Sequence, residues 1–442
     1  MSEAAATGSA AADSSVQRRT IAVLGGAQVL SGLGVGAGIA AGSLLVAELT
    51  GSESLAGLAQ TCGVIGAALA AGPLAWLSTR KGRRIGLATG LWIAASGAGV
   101  VVVGAIVGWV AVVLLGTFGV GVASAVGLQA RYAASDLAKP EHVARDLAYV
   151  VWATTVGAVL GPNLMEPASR LADALSLPSL SGAYLVTAAA VALAAIVVLG
   201  LLRPDPLLES RRLASEAHPA DTPHEHGSMV AELRRGWRVV RASPGASVAV
   251  ASMAVGHVVM VMVMVLTPVY MRHVDVTLQV VGLVISVHVL GMFALSPVVG
   301  WLADRWGSTT VIAIGIALLG AATLIAGTAS GDQIVQLGLG LFLLGLGWSG
   351  TLVGGSALLS VSVPDDSRPA AQGVGDTVMN VAAAAGGAAA GVIVYTASYG
   401  WLNAAAALCL VPLVVGLGRY LAGQRGGGPG RRVGNGIRTP VR

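Results

Sequence analysis

The residues Gly300–Thr309 read GWLADRWGST, and 225 positions earlier Ala75–Arg84 read AWLSTRKGRR. Each stretch closes one long apolar run and, after a glycine-broken basic turn, opens the next. A second correspondence runs beside the first. Asp146, Gly157 and Gly161 are matched 230 residues later by Asp376, Gly387 and Gly391 with the same internal spacing. Self-similarity at one fixed offset means that a structural unit is used twice, and here the unit spans half the chain.

Working outward from these turns, a helix needs about 20 mostly apolar residues to cross the hydrocarbon core. Twelve segments meet that condition: 21–47, 54–77, 85–107, 109–131, 146–165, 182–202, 246–270, 278–302, 309–328, 334–360, 371–396 and 400–420. The fold class expected is an all-α membrane protein of 12 transmembrane helices in two six-helix pseudo-symmetric halves. The expected organisation is a disordered N-tail (1–19), an N-terminal six-helix bundle (20–202), a linker (203–245), a C-terminal six-helix bundle (246–422) and a Gly/Arg-rich tail (423–442). Within the linker, Val230, Leu233, Trp237 and Val240 recur at helical spacing against Arg234, Arg235, Arg238 and Arg241. That pattern predicts a basic amphipathic helix on the anionic leaflet, or a tether between the halves. Arg18 and Arg19 precede the first run, which is too long for a signal h-region and is read as a retained span.

Composition excludes other classes. Of 442 residues, 55% are apolar and 11% charged, against about 25% charged in soluble domains. The 62 glycines suit close helix packing in lipid. With both termini on one side, 24 of the 26 Lys and Arg residues fall on that side and Arg170 and Arg272 on the other. By the positive-inside bias, both termini are then cytoplasmic in a multi-pass plasma-membrane protein. Basic residues in short loops without interleaved aromatics argue against a nucleic-acid partner. Cys62 and Cys409 both lie in apolar runs, which excludes a disulfide framework and a CxxC pair. No P-loop, HExxH, nucleophile elbow or acidic Mg²⁺ motif occurs, so an enzyme and an ATP-driven pump both lack their parts, and neither cofactor nor metal is expected. GLGVGAG in the first span and GLGLFLLGLG (338–347) in the tenth are helix-packing surfaces.

GWLADRWG, together with GLGWSGTLVGGSALL and QGVGDTVMN, resembles the major facilitator superfamily, in a bacterial efflux-type branch, over all twelve spans. The resemblance implies a transporter of small molecules with its site between the halves. Carried over residue by residue, it sets Asp304 against the start of the fifth span near Asp146. It sends Arg305 to Asp365 or Asp366 and Arg80 to Asp136, and Arg83 in the same turn is a further gating-loop position. The first-half loop departs from the pattern at Ala75 and Thr79, which weakens the matching latch on the eleventh span. Thr117 stands where a proton-linked Arg is found in antiporters, and the fifth-span motif is reduced to Gly157, Gly161 and Pro162.

Ionisable groups inside a bilayer are costly and mark function. His257 and His288 lie about 16 and 18 Å inside their helices at 1.5 Å per residue, and imidazole suits a proton path or a ligand. A backbone-bonded structural histidine is the other reading. Met253, His257, Met260, Met264 and Met271 form one stripe on the seventh span. Flexible, polarizable thioethers suit varied apolar ligands, and a Met/His copper path lacks an acidic or thiolate cluster. Asp146 and Asp376 open helices, where carboxylates also complement the dipole. Asn380 lies one turn beyond Asp376, and Trp152, Thr154, Thr155 and Asn163 are further polar or aromatic groups for the cavity. His218, His224 and His226 read as a solvated loop tract. The function expected is proton-coupled export of small amphiphilic molecules by a monomer. An importer or uniporter of the same fold, and a non-transporting receptor, are the alternatives.

Overall fold

The computed structural model describes residues 2–52, 55, 57–217, 228–272 and 274–426. The His218, His224 and His226 tract lies outside them. Sixteen α-helices are assigned along the described residues. The first half comprises α1 (Ser2–Thr50), α2 (Gly57–Lys81), α3 (Arg83–Val107), α4 (Val110–Ser135), α5 (Val143–Asn163), α6 (Met165–Ala174) and α7 (Gly182–Leu201). Between the halves lie α8 (Pro206–Ala217) and α9 (Met229–Ala242). The second half comprises α10 (Pro244–Arg272), α11 (Leu278–Phe293), α12 (Ser296–Trp306), α13 (Ser308–Gly327), α14 (Ile334–Ser362), α15 (Arg368–Thr396) and α16 (Tyr399–Gly426). Among the described residues, twelve helical segments are long and apolar enough to cross a membrane. An even number of crossings returns both termini to one end, here called the basic end.

The two turns that revealed the repeat share one backbone geometry. Gly82 and Gly307, 225 residues apart, both have φ of 88°, a conformation an L side chain resists. Each ends one helix and reverses the chain into the next, α2 into α3 and α12 into α13. The eighth span is broken into α11 and α12. Pro297, at the start of α12, has no N–H to bond the Phe293 carbonyl that closes α11, and its ring crowds the preceding turn.

The helices run differently from the expected limits at three places. α1 is assigned from Ser2, and Gln17 is buried with its amide donating to the Ala134 carbonyl at 2.7 Å and to Asp146 at 2.8 Å. The last helix runs to Gly426, past the expected limit. The amphipathic helix α9 exists, capped by Ser228, but it turns Glu232, Gly236 and Val240 inward and leaves Val230 and Trp237 exposed. It packs on the protein rather than lying free: Gly236 sits against the Ala370 carbonyl of α15, and Leu233 reaches Gly72 of α2. It therefore bridges the halves, which is the tether reading.

Apolar packing builds two clusters within the first half and a larger one, mainly of second-half residues, that also takes in Tyr132, Leu147 and Val151, and it adds a smaller cluster shared by the halves. Val143, Ala144 and Ala148 of α5 interlock with Val299 and Ala303 of α12, Val311 of α13, and Val353 and Ala357 of α14. Burial along α15 shows where the halves part. From Pro369 to Asn380 no residue is exposed, because neighbours surround the helix. Beyond Asn380 the buried positions reduce to Ala383, Gly386 and Ala390, a stripe whose Gly386 meets Val258 and Met262 of α10 in its own half. The halves are packed together at the basic end and diverge above Asn380.

Candidate functional site

At the level where the halves diverge, α4 carries Arg131 into the interior. Its Nη2 donates to Asp376 Oδ1 of α15 at 2.6 Å, and both side chains are 1% exposed. Nε donates to Ser356 of α14 at 2.9 Å, and Nη2 also reaches the Tyr132 hydroxyl at 3.2 Å. The guanidinium lies 4.5 Å from the Tyr132 ring centroid. Met253 of α10 closes the cluster, its Sδ accepting from Ser356 at 3.3 Å and from Tyr132 at 3.5 Å. Arg131 Nη1 and Asp376 Oδ2 are buried without hydrogen-bond partners. A buried pair with unsatisfied atoms is poor stabiliser material, but breaking it by removing one member strands a charge.

Two further connections lock the same end. Arg83 at the start of α3 is 1% exposed and donates through Nε to Asp136 at 2.8 Å. Its Nη2 crosses to the Gln372 side chain of α15 at 2.6 Å. On the other side, Asp304 of α12 accepts the backbone N–H groups of Ala144 and Arg145, both at 2.9 Å. Those groups belong to the first turn of α5, where free N–H donors and the helix dipole favour an anion. Replacing Asp304 by Ala removes both bonds and the charge, which costs the closed arrangement about 1–2 kcal/mol. The expected result is faster thiol labelling of a cysteine placed at Ala138 in a chain lacking Cys62 and Cys409.

The positions expected from sequence divide as follows. Asp304 sits on the start of the fifth span, at the N–H groups of Ala144 and Arg145. Asp376 and Met253 meet at the interhalf cluster. Asp136 takes Arg83 rather than Arg80, whose guanidinium lies 5.1 Å from the Trp76 ring centroid, because the Gly82 turn directs the first residues of α3 inward. Arg305 is not with Asp365 or Asp366: it stacks 5.5 Å from the Trp301 centroid, Asp365 pairs with Arg368 one turn away, and Asp366 pairs with Arg235 of α9. Where the first-half signature has Thr79, that hydroxyl bonds back to Ala75, and Arg211 of α8 takes the Thr79 carbonyl at 2.7 Å.

The two histidines have different surroundings. His257 of α10 accepts at Nδ1 from the Trp348 indole of α14 at 2.8 Å, and Phe293 stands edge-on to that indole at 5.5 Å. His288 is fully buried, with Nδ1 on the Leu341 carbonyl at 2.7 Å and Nε2 unpartnered, the geometry of the structural reading. Met260 is buried in the second-half core and Met264 packs against it. The Asn380 amide donates to the Asp376 carbonyl in its own helix at 2.8 Å. Trp152 is exposed, Thr154 accepts from Gln28 at 2.9 Å, and the Thr155 hydroxyl is buried without a partner.

Sequence reasoning missed Arg131, Tyr132, Ser356, Trp348 and Gln372. Arg131 was counted with the loops because the apolar run ends there, yet α4 continues to Ser135. The small neighbours Ala130, Ala133 and Ala134, all buried, were the available signal for a packed environment.

The geometry is that of two helical bundles latched at one end, and independent comparisons agree. The family model described as Major Facilitator Superfamily matches residues 24–275 and 248–436. The uncharacterized MFS-type transporters YddS and YdeG of Bacillus subtilis (strain 168) are each 37% identical, over 402 and 406 residues. Those alignments cover 90% of this chain and 90% of YddS, and 91% of this chain and 92% of YdeG. Among solved structures, the human organic anion transporter MFSD10 superposes with a TM-score of 0.69 at 17% identity, over 91% of this chain and 99% of that one. With the family matched in both halves and the fold shared end to end, the chain belongs to the Major Facilitator Superfamily.

Proposed function

We propose that this chain is a secondary active transporter that exports small amphiphilic molecules in exchange for protons, by alternating access between the bundles 20–202 and 246–422. The observation that carries the reading is one-ended closure. The halves are joined at the basic end through Arg131–Asp376, Arg83–Gln372 and Asp304 on α5, and they diverge above Asn380. A crevice closed at one end by polar latches beside a small apolar cluster can release that end when the latches are exchanged for water.

In this reading the basic end is cytoplasmic, because it gathers 24 of the 26 Lys and Arg residues. The chain works as a monomer in the plasma membrane. Asp376 is the proton site: a proton on its carboxylate cancels the charge that holds Arg131, and the basic end opens. Everted vesicles with an acidified lumen and a pH-quenched dye test this. Adding an exported compound should restore fluorescence as protons leave, and Asp376→Asn should abolish the recovery. Uptake of the compound into such vesicles without any fluorescence change would overturn proton exchange and leave uniport. Movement only in the opposite direction would make the protein an importer.

A further inference from the structure

We propose that the molecule moved is a compact, apolar-bodied compound, neutral or anionic, that offers a hydrogen-bond acceptor to Nε2–H of His257, and that permanent cations are rejected. This rests on the transporter reading and narrows its substrate.

The argument starts with Trp348. An indole nitrogen donates and cannot accept. With Trp348 Nε1 at 2.8 Å from His257 Nδ1, Nδ1 must carry the lone pair. The neutral ring therefore holds its one proton on Nε2. Trp348 cannot easily turn to release it. The residue is 3% exposed, and Phe293 packs edge-on against the indole with ring centroids 5.5 Å apart. A second proton on the imidazole would set Nδ1–H against the indole N–H and break the bond. The pair thus holds the ring as a one-proton donor, and with Nδ1 taken, Nε2–H is the edge left to a ligand.

Position and charge supply the rest. His257 lies one turn along α10 from Met253, whose Sδ is 3.9 Å from Arg131 Nη2. It therefore stands just above the interhalf ion pair, where the bundles separate. Arg131 is within electrostatic reach of the ring. Asp376 is bound to that guanidinium at 2.6 Å, and its second oxygen is sealed from solvent. A cation entering here meets an N–H donor and a guanidinium, with the local carboxylate already neutralised. An acceptor oxygen meets the donor directly and gains from the nearby positive charge. Met264 provides an adaptable apolar wall for the body of the molecule.

The test uses one naphthalene skeleton with four substituents: 2-naphthoate, 2-acetylnaphthalene, 2-isopropylnaphthalene and 2-naphthyltrimethylammonium. Equilibrium dialysis against the full chain in lipid nanodiscs, with empty nanodiscs subtracted, gives the four affinities. The two acceptor-bearing compounds should bind at least about tenfold more tightly than the hydrocarbon and the cation, the size of one net buried hydrogen bond. His257→Phe should bring them down to the hydrocarbon. Trp348→Phe keeps the aromatic wall but deletes the indole N–H, and should weaken them by about tenfold. It should also erase the fixed-tautomer pattern of His257 in ¹⁵N-histidine spectra, a readout that does not depend on binding. The proposal is overturned if the cation binds as well as the acceptors, if neither substitution changes their affinity, or if none of the four binds. Counterflow of the bound compound in proteoliposomes separates the two claims: binding with the expected ranking but no movement would sink the transporter reading and leave the recognition chemistry standing.

Discussion

Replacing Asp376 by Asn should open the basic end and stop transport. Arg131 is completely buried, and Asp376 is the carboxylate that balances it across the two halves. An amide in its place leaves a guanidinium without a counter-charge in a dry site, at a cost of about 3–5 kcal/mol. That penalty falls only on the arrangement in which the halves are closed there, since opening lets water reach Arg131. At 1.4 kcal/mol per factor of ten, the closed-to-open ratio falls by about two to four orders of magnitude. Distances between spin labels at the basic ends of α2 and α15 would report it as a shift to the longer population. The double replacement Arg131→Met with Asp376→Leu removes both charges at similar volume, and buried pairs replaced in this way are often neutral or stabilising. It should restore the short distances while transport stays absent. Unchanged distances in the single variant would show that the pair is not the lock.

The fold was legible because a bilayer imposes a strong condition on sequence. Every backbone group must be bonded within a helix, so spans appear as apolar runs of predictable length. The repeated turn at Gly82 and Gly307 then divides the chain in two. Asp304 was legible for a different reason. A carboxylate capping a helix needs only a short motif that reaches the free N–H groups of one first turn, and the local stretch GWLADRWG carries it. Arg131 was not legible because nothing local separates an arginine at the end of a helix from one inside a packed interface. What makes its burial tolerable is Asp376, 245 residues away. The same limit explains Arg83 and Arg80. They are three residues apart, and which of them turns inward depends on the backbone at Gly82. The Met stripe follows from helical spacing along α10, but spacing alone does not say whether that face lines a cavity or packs inside. Met253, Met260 and Met271 are buried, because in this state the stripe lies against α14, α15 and the second-half core.

Two glycine substitutions that each drive a Cβ into a neighbouring helix should have opposite consequences, and the contrast tests whether closure and folding are separable. A Cβ at Gly300 of α12 would stand 2.6 Å from Ala148 Cβ and 2.7 Å from the Ala144 carbonyl oxygen, both on α5 of the other half. A Cβ at Gly121 of α4 would stand 1.9 Å from the Gly63 carbonyl oxygen of α2, within the same half. Backbone cannot yield as a flexible side-chain end can, so both clashes exceed the usual 1–3 kcal/mol of overpacking. The chain has a way out in only one case. For Gly300→Val, the proposed cycle offers relief: separating the halves at the basic end would part α12 from α5, which belong to different halves. For Gly121→Val, α2 and α4 must stay packed whichever end is open, and no transport state relieves the strain. Gly300→Val should therefore purify as a monodisperse protein with the basic end open to thiol reagents and no turnover. Gly121→Val should lose most of its folded yield. If Gly300→Val also failed to fold, the contact between α5 and α12 would belong to the scaffold of the protein rather than to one state of its cycle, and alternating access about that contact would be untenable.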